Sequence, residues 1–150
     1  GMMITNEGPK VVEFNCRLGD PETQVLLPLL DSDLLDIVES CVNGTLESSD
    51  VKWSPNSSVA IVLASGGYPN SYSTGHRIGG INHRDEKTKI FHAGTTTNSE
   101  GDVVTNGGRV LSVNAVAKNM ELARSVAYAG ARRISFKDVY MRNDIAKDVG

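Results

Sequence analysis

The chain has 150 residues, 39% hydrophobic and 22% charged, enough for one compact domain with a real core, or a small domain plus a fragment. A formal net charge of -3, with no basic cluster longer than Arg132-Arg133, argues against nucleic acid as a partner, because phosphate backbones demand concentrated Lys and Arg. The longest apolar runs, residues 25–27 and 60–64, are far too short to cross a bilayer, and no secretory leader is visible, so a cytoplasmic protein without a membrane partner is expected.

In chain order, residues 10–17 alternate. Val12, Phe14 and Cys16 fall on one face and Glu13, Asn15 and Arg17 on the other, the period of a half-buried strand. Gly19-Asp20-Pro21-Glu22 reads as a turn into a helix, with Asp20 as cap, Pro21 in the first turn and Glu22 complementing the dipole. Pro28 should end or kink that helix. A second helix is predicted after Asp31-Ser32-Asp33, with Leu34, Leu35, Val38, Cys41 and Val42 on its apolar face and a stop at Asn43-Gly44. Residues 45–50 are small and polar, a linker.

Residues 58–64 form a continuous β-type run bounded by Gly66-Gly67-Tyr68-Pro69. Further strands are predicted at 78–81, 89–93 and 102–105. Asn106-Gly107-Gly108 suggests a hairpin turn through positive φ, with 109–116 as the return strand. Asn119 caps a helix running to about residue 129, with Leu122, Ala123, Val126 and Ala127 facing the core. A short strand at 139–141 precedes a charged tail. The fold class is α+β, its second part built on a mainly antiparallel sheet with one packed helix. Cys16 and Cys41 have no metal-like spacing and are expected to be buried thiols in a reducing compartment. His76, His83 and His92 lie apart and read as loop or strand residues rather than ligands.

Glu13 and Asn15, two apart on one strand, project their side-chain oxygens in the same direction. That pair offers hard ligands to Mg²⁺, which takes one or two protein groups and completes its shell with water and phosphate. Arg17 on the same face can approach a phosphate or a developing acyl phosphate, which makes it the catalytic candidate. The alternative reading of the same residues is a solvent-facing strand edge followed by a capped helix. Gly107-Gly108-Arg109 offers backbone N–H groups and a guanidinium to an anion, or is only a tight turn.

The segment GPKVVEFNCRLGDPETQ, residues 8–24, closely resembles the end of the ATP-grasp domain in glycinamide ribonucleotide synthetases, including their R-[LF]-G-D-P-E signature. Gly67-Tyr68-Pro69, Phe91-His92-Ala93-Gly94-Thr95, Val104-Thr105-Asn106-Gly107-Gly108-Arg109-Val110-Leu111 and a degenerate Tyr140-Met141-Arg142-Asn143-Asp144-Ile145 follow in the family's order. The resemblance implies residues 1–44 as the end of the ATP-grasp domain, a strand and two helices, and 45–150 as the family's C-terminal domain. It implies a ligase that joins glycine to 5-phosphoribosylamine at the expense of ATP. Glu13 and Asn15 would be its Mg²⁺ or Mn²⁺ ligands. Arg17, Gly19, Asp20, Pro21 and Glu22, with Gly108 and Arg109, would border substrate and phosphate.

No GxGxxG follows a strand and no GxxxxGK[ST] occurs, so most of an ATP site is expected on an upstream lobe, without which the chain should be inactive. The strand bearing Glu13 would then be an exposed edge, inviting pairing with a second copy or fraying before residue 31. A folded module acting only through partner contacts is the competing function.

Overall fold

The computed structural model describes residues 1–82 and 85–147; His83 lies outside them. The architecture is α+β as expected. A hairpin of β1 (Met2–Thr5) and β2 (Gly8–Val11) precedes α1 (Glu22–Leu26) and α2 (Leu34–Asn43). Five strands follow: β3 (Ser57–Ala64), β4 (Lys89–His92), β5 (Thr95–Thr97), β6 (Val103–Thr105) and β7 (Arg109–Ala117). The last helix, α3, spans Met120–Ala131.

The central sheet has the order β3-β7-β4, antiparallel throughout. In β7, residues 110–115 are all buried, which suits the middle strand of a covered sheet. Its cover is α3. Asn119 accepts a hydrogen bond from the Leu122 N–H (2.9 Å), satisfying one of the helix's orphan donors. Ala123, Ala127 and Ala131, four residues apart, lie on one stripe and are fully buried. These small side chains let the helix approach the sheet, while Val59, Ile61, Leu63, Val110, Leu111 and Val113 supply the bulk. A fully buried aliphatic such as Ile61 contributes about 1.5–3 kcal/mol. Leu122, expected in the core, is 42% exposed, because the alanine stripe rather than the larger residue sets the buried face.

Other expectations are corrected. The strand predicted for 10–17 stops at Val11. Its partner β1 begins at Met2, so strand pairing ends with Met2↔Val11, followed only by bonds of Gly1: its carbonyl accepts from the Val12 N–H (2.9 Å) and its amino group donates to the Glu13 carbonyl (2.8 Å). Val12 and Phe14 are exposed, as are the free thiols Cys16 and Cys41. Residues 78–81 form no strand: Arg77 and Gly79 make single bridges to Val104 and Ser135. The strand predicted at 139–141 is one bridge, Tyr140↔Ala64.

The hairpin predicted across Asn106-Gly107-Gly108 does not form. β6 pairs with β5, and β7 pairs with β3 and β4, so this segment carries the chain from one sheet to another. Neither glycine there has positive φ. Gly108 is needed for space instead: a Cβ on it would run into the Tyr68 ring.

The two N-terminal helices follow their signals more closely. Asp33 accepts from the Leu35 N–H (2.7 Å), and α2 ends on Gly44 at φ 67°. Pro28 lies in a 3₁₀ turn, Leu27–Leu29, that terminates α1. The polar linker contains a second such turn, Ser48–Asp50, and pairing of Leu30 with Trp53 ties its two flanks together.

Candidate functional site

Although residues 12–15 lie outside any strand, the backbone keeps Glu13, Asn15 and Arg17 on one side. The Asn15 Nδ2 donates to Glu13 Oε1 (3.1 Å), and the Arg17 Nη1 donates to Asn15 Oδ1 (2.7 Å) and the Leu18 carbonyl (3.2 Å). All three residues are exposed. The donor set suits a hard divalent cation: one carboxylate and one amide oxygen, two residues apart. Among the described residues no group of three or more His, Cys, Asp or Glu converges, so this pair fits part of a coordination shell rather than a closed cage. Arg17 occupies Asn15 Oδ1 and would have to turn aside for an ion to use it.

A second group forms around Gly19 and Asp20. Asp20 does not cap α1 as expected; that position falls to Pro21, with no side-chain bond. Its carboxylate is engaged elsewhere, by Arg109 Nη2 (3.1 Å) and by Gln24 Nε2 (3.0 Å), and its carbonyl accepts from Arg109 Nη1 (2.7 Å). Thr23 donates to the Gly19 carbonyl through both its N–H and its hydroxyl. Glu22 lays its carboxylate against Gly19, so a side chain there would push that carboxylate aside.

Thus the structure brings Arg109 to the Asp20 turn, 89 residues away. Arg109 is neither a free anion-binding guanidinium nor an isolated surface cation. Gly107 and Gly108 accept bonds from the Ser65 hydroxyl and N–H, both 2.8 Å, which anchors the turn against the Tyr68 loop. Gly19, Asp20, Glu22 and Arg109 form one cluster, and Glu13, Asn15 and Arg17 another.

Between residues 18–28 and β4 lies a crevice of about 570 Å³, lined by Gly19, Asp20, Gln24, Lys89, Phe91 and His92 among others. Sequence reasoning missed it. Gln24 and Lys89 are distant in the chain, and only folding places them in one wall. His92 contacts Thr95 Oγ1 (3.0 Å) and His76 contacts Ser73 Oγ (2.7 Å), loop and strand-end roles in keeping with their sequence reading.

The site thus sets an oxygen-bearing pair and an arginine ahead of the sheet of a small α+β domain. Residues 58–148 match the family described as phosphoribosylglycinamide synthetase, C domain. The chain belongs to that family.

The phosphoribosylamine–glycine ligase of Neisseria meningitidis serogroup A is 46% identical over 147 residues, covering 97% of this chain and 35% of the relative. A bifunctional purine biosynthetic protein of Schizosaccharomyces pombe is 47% identical over 146 residues, 97% of this chain and 18% of the relative. The crystal structure of the phosphoribosylamine–glycine ligase from Thermotoga maritima superposes with a TM-score of 0.79 at 34% identity, over 97% of this chain and 35% of that one. The chain therefore spans about a third of the length of the single-function relatives.

Proposed function

We propose that this chain is the C-terminal part of an ATP-dependent ligase that joins 5-phosphoribosylamine and glycine, releasing glycinamide ribonucleotide, ADP and phosphate in purine biosynthesis. The observation that carries the proposal is the convergence of Glu13, Asn15 and Arg17 on one side of an extended segment. The names of the relatives, each aligned over nearly the whole of this chain, support it.

Glu13 and Asn15 would hold Mg²⁺ or Mn²⁺ through their side-chain oxygens. The bound ion would neutralise charge on the nucleotide phosphates during transfer. Arg17, exposed, would leave Asn15 to serve as a phosphate contact. Gly19, Asp20, Pro21 and Glu22 border the substrates, and Arg109 holds that turn through Asp20 while Gly108 positions the backbone beside it. A positioning role for Arg109 replaces direct anion binding.

Most of the ATP site belongs to a lobe outside residues 1–150, with the ATP-grasp portion ending near residue 44 and the C-terminal domain starting at 45. The exposed apolar side chains of β1, β2, Phe14 and Leu18 suit contact with that lobe, or pairing of two copies when it is missing. Among the described residues no helix is long and apolar enough to cross a membrane, and a cytoplasmic setting belongs to the same proposal.

The test supplies this chain with a separately produced polypeptide equivalent to the upstream two-thirds of its relatives and measures glycine-dependent ADP release. Neither piece alone should be active. Activity of the mixture that vanishes with Glu13→Ala is expected; activity indifferent to Glu13→Ala contradicts the metal assignment.

A further inference from the structure

We infer that the open end of β7 docks an extended, acidic segment of a partner protein, added to the central sheet as a further strand beside Val116 and Ala117. β4 covers β7 only as far as the pair Lys89↔Asn114, while β7 continues to Ala117. Two residues further along that register, Lys87 would stand opposite Val116. The chain leaves the sheet there instead. The Lys87 N–H bonds the Asp85 carboxylate (3.0 Å), the Thr88 N–H bonds the Asp85 carbonyl (3.1 Å), and Thr88 lies against Gly130 of α3. A notch of about 580 Å³ is left beside β7.

Val116 carries the open ladder. The Ala93 N–H bonds the Val110 carbonyl (3.0 Å), and alternation along an antiparallel strand then turns the N–H and C=O of Ser112, Asn114 and Val116 to the β4 side. Among the described residues Val116 has no partner there. A strand edge with open backbone groups is a template for another strand. Side chains decide which strand is accepted. Lys89 shares the face of Val116, and Lys87 and Lys118 complete a rim against one carboxylate, Glu86. Lysines on an edge repel ordinary strands, and a second copy paired edge to edge would set these lysines against their own counterparts. The same charge selects an acidic segment. On the other face, the one α3 covers, Leu122 and Val126 line the notch one turn apart, a seat for one apolar side chain next to Ala117. The segment is therefore acidic–apolar–acidic, its acids on the lysines and its apolar residue on α3.

The experiment titrates the ¹⁵N-labelled chain with the acetylated peptide amide Ser-Glu-Val-Glu-Ser and, in separate arms, with its Ser-Lys-Val-Lys-Ser counterpart and free glutamate. The acidic peptide is expected to shift the amides of Lys89, Val116, Ala117 and Lys118 saturably and to slow hydrogen exchange at the Val116 N–H, while the lysine peptide gives no shift. Lys89→Glu combined with Lys118→Glu should weaken the acidic peptide by about tenfold or more and admit the lysine peptide. Val116→Pro removes the donor that points away from β3, so it should abolish binding with little change in melting temperature; should it unfold the chain, the charge-reversed pair decides. Four outcomes overturn the inference. They are shifts confined to other residues, free glutamate binding as tightly as the peptide, charge reversal without effect, and loss of the peptide when the separately produced upstream polypeptide is added, which would give the notch to the enzyme's own lobe. Each of these leaves the ligase reading standing, because Glu13 and ADP release test that independently.

Discussion

Residues 1–57 and residues 58–136 are folded by different means. In the second region β3, β7 and α3 close around a cluster that runs from Val59 to Phe136, and the apolar residues of that cluster are removed from water. In the first, no described residue is buried, although its sequence is as apolar in texture: Phe14 is 86% exposed and Val42 82%. Local signals suffice to cap and stop α2, yet Leu34, Leu35, Val38 and Val42 of its apolar face stay exposed. Periodicity therefore reports which face of an element is meant to be covered, and the cover itself must come from elsewhere. Among the described residues one side-chain clasp, Arg109 on Asp20, joins the candidate site of the first region to the sheet of the second.

The contrast can be broken most forcefully at Ile61. Ile61→Ala in the fully buried layer should cost about 2–5 kcal/mol in urea unfolding, whereas Phe14→Ser should change the same midpoint by no more than about 0.5 kcal/mol. Equal losses would mean that the first region has a core of its own. Gly108→Ala comes next. The added methyl meets the Tyr68 ring, and an overpacking cost of about 1–3 kcal/mol is expected; near-neutrality would show that the Tyr68 loop yields freely.

The smallest effect concerns pH. The Lys87 backbone N–H and then the Arg133 guanidinium hold the Asp85 carboxyl below the usual carboxylate range, and Arg142 does the same for Asp144. A folded-state pKa lower than the unfolded one adds stability that is complete above the unfolded value, about 3.9. That contribution is lost as pH falls through the depressed folded value. Thermal melts between pH 2 and 6 should accordingly show an acid limb that Asp85→Asn flattens. Asp85 belongs to the second region and Asp144 follows it in the chain, so no part of that limb should come from unfolding of residues 1–57.

Much of this was legible in the residues, but unevenly. The strand at 57–64, the Asn119-capped helix and the Asp33–Gly44 bounded helix each follow from a local rule that tertiary packing does not oppose. The Glu13–Asn15–Arg17 grouping survived the loss of its strand, because side chains two residues apart share a side in any extended backbone. Sheet partnership was not legible: Asn106-Gly107-Gly108 carries the composition of a hairpin turn, and only the long-range pairing of β7 with β3 shows that it links two sheets. Nor could Asp20 be told apart as a cap or a salt-bridge partner, since Arg109 is 89 positions away. The crevice holding Gln24 and Lys89 escaped for the same reason.

Paramagnetic broadening by Mn²⁺ of the ¹⁵N-labelled chain, compared with its Glu13→Gln variant, tests the central assignment most directly. Broadening centred on residues 13–17 and abolished by the substitution is what a divalent-cation half-site at Glu13 and Asn15 requires. Broadening centred instead on the acidic surface of Asp31, Asp33, Asp36 and Asp50, unchanged in the variant, would contradict it.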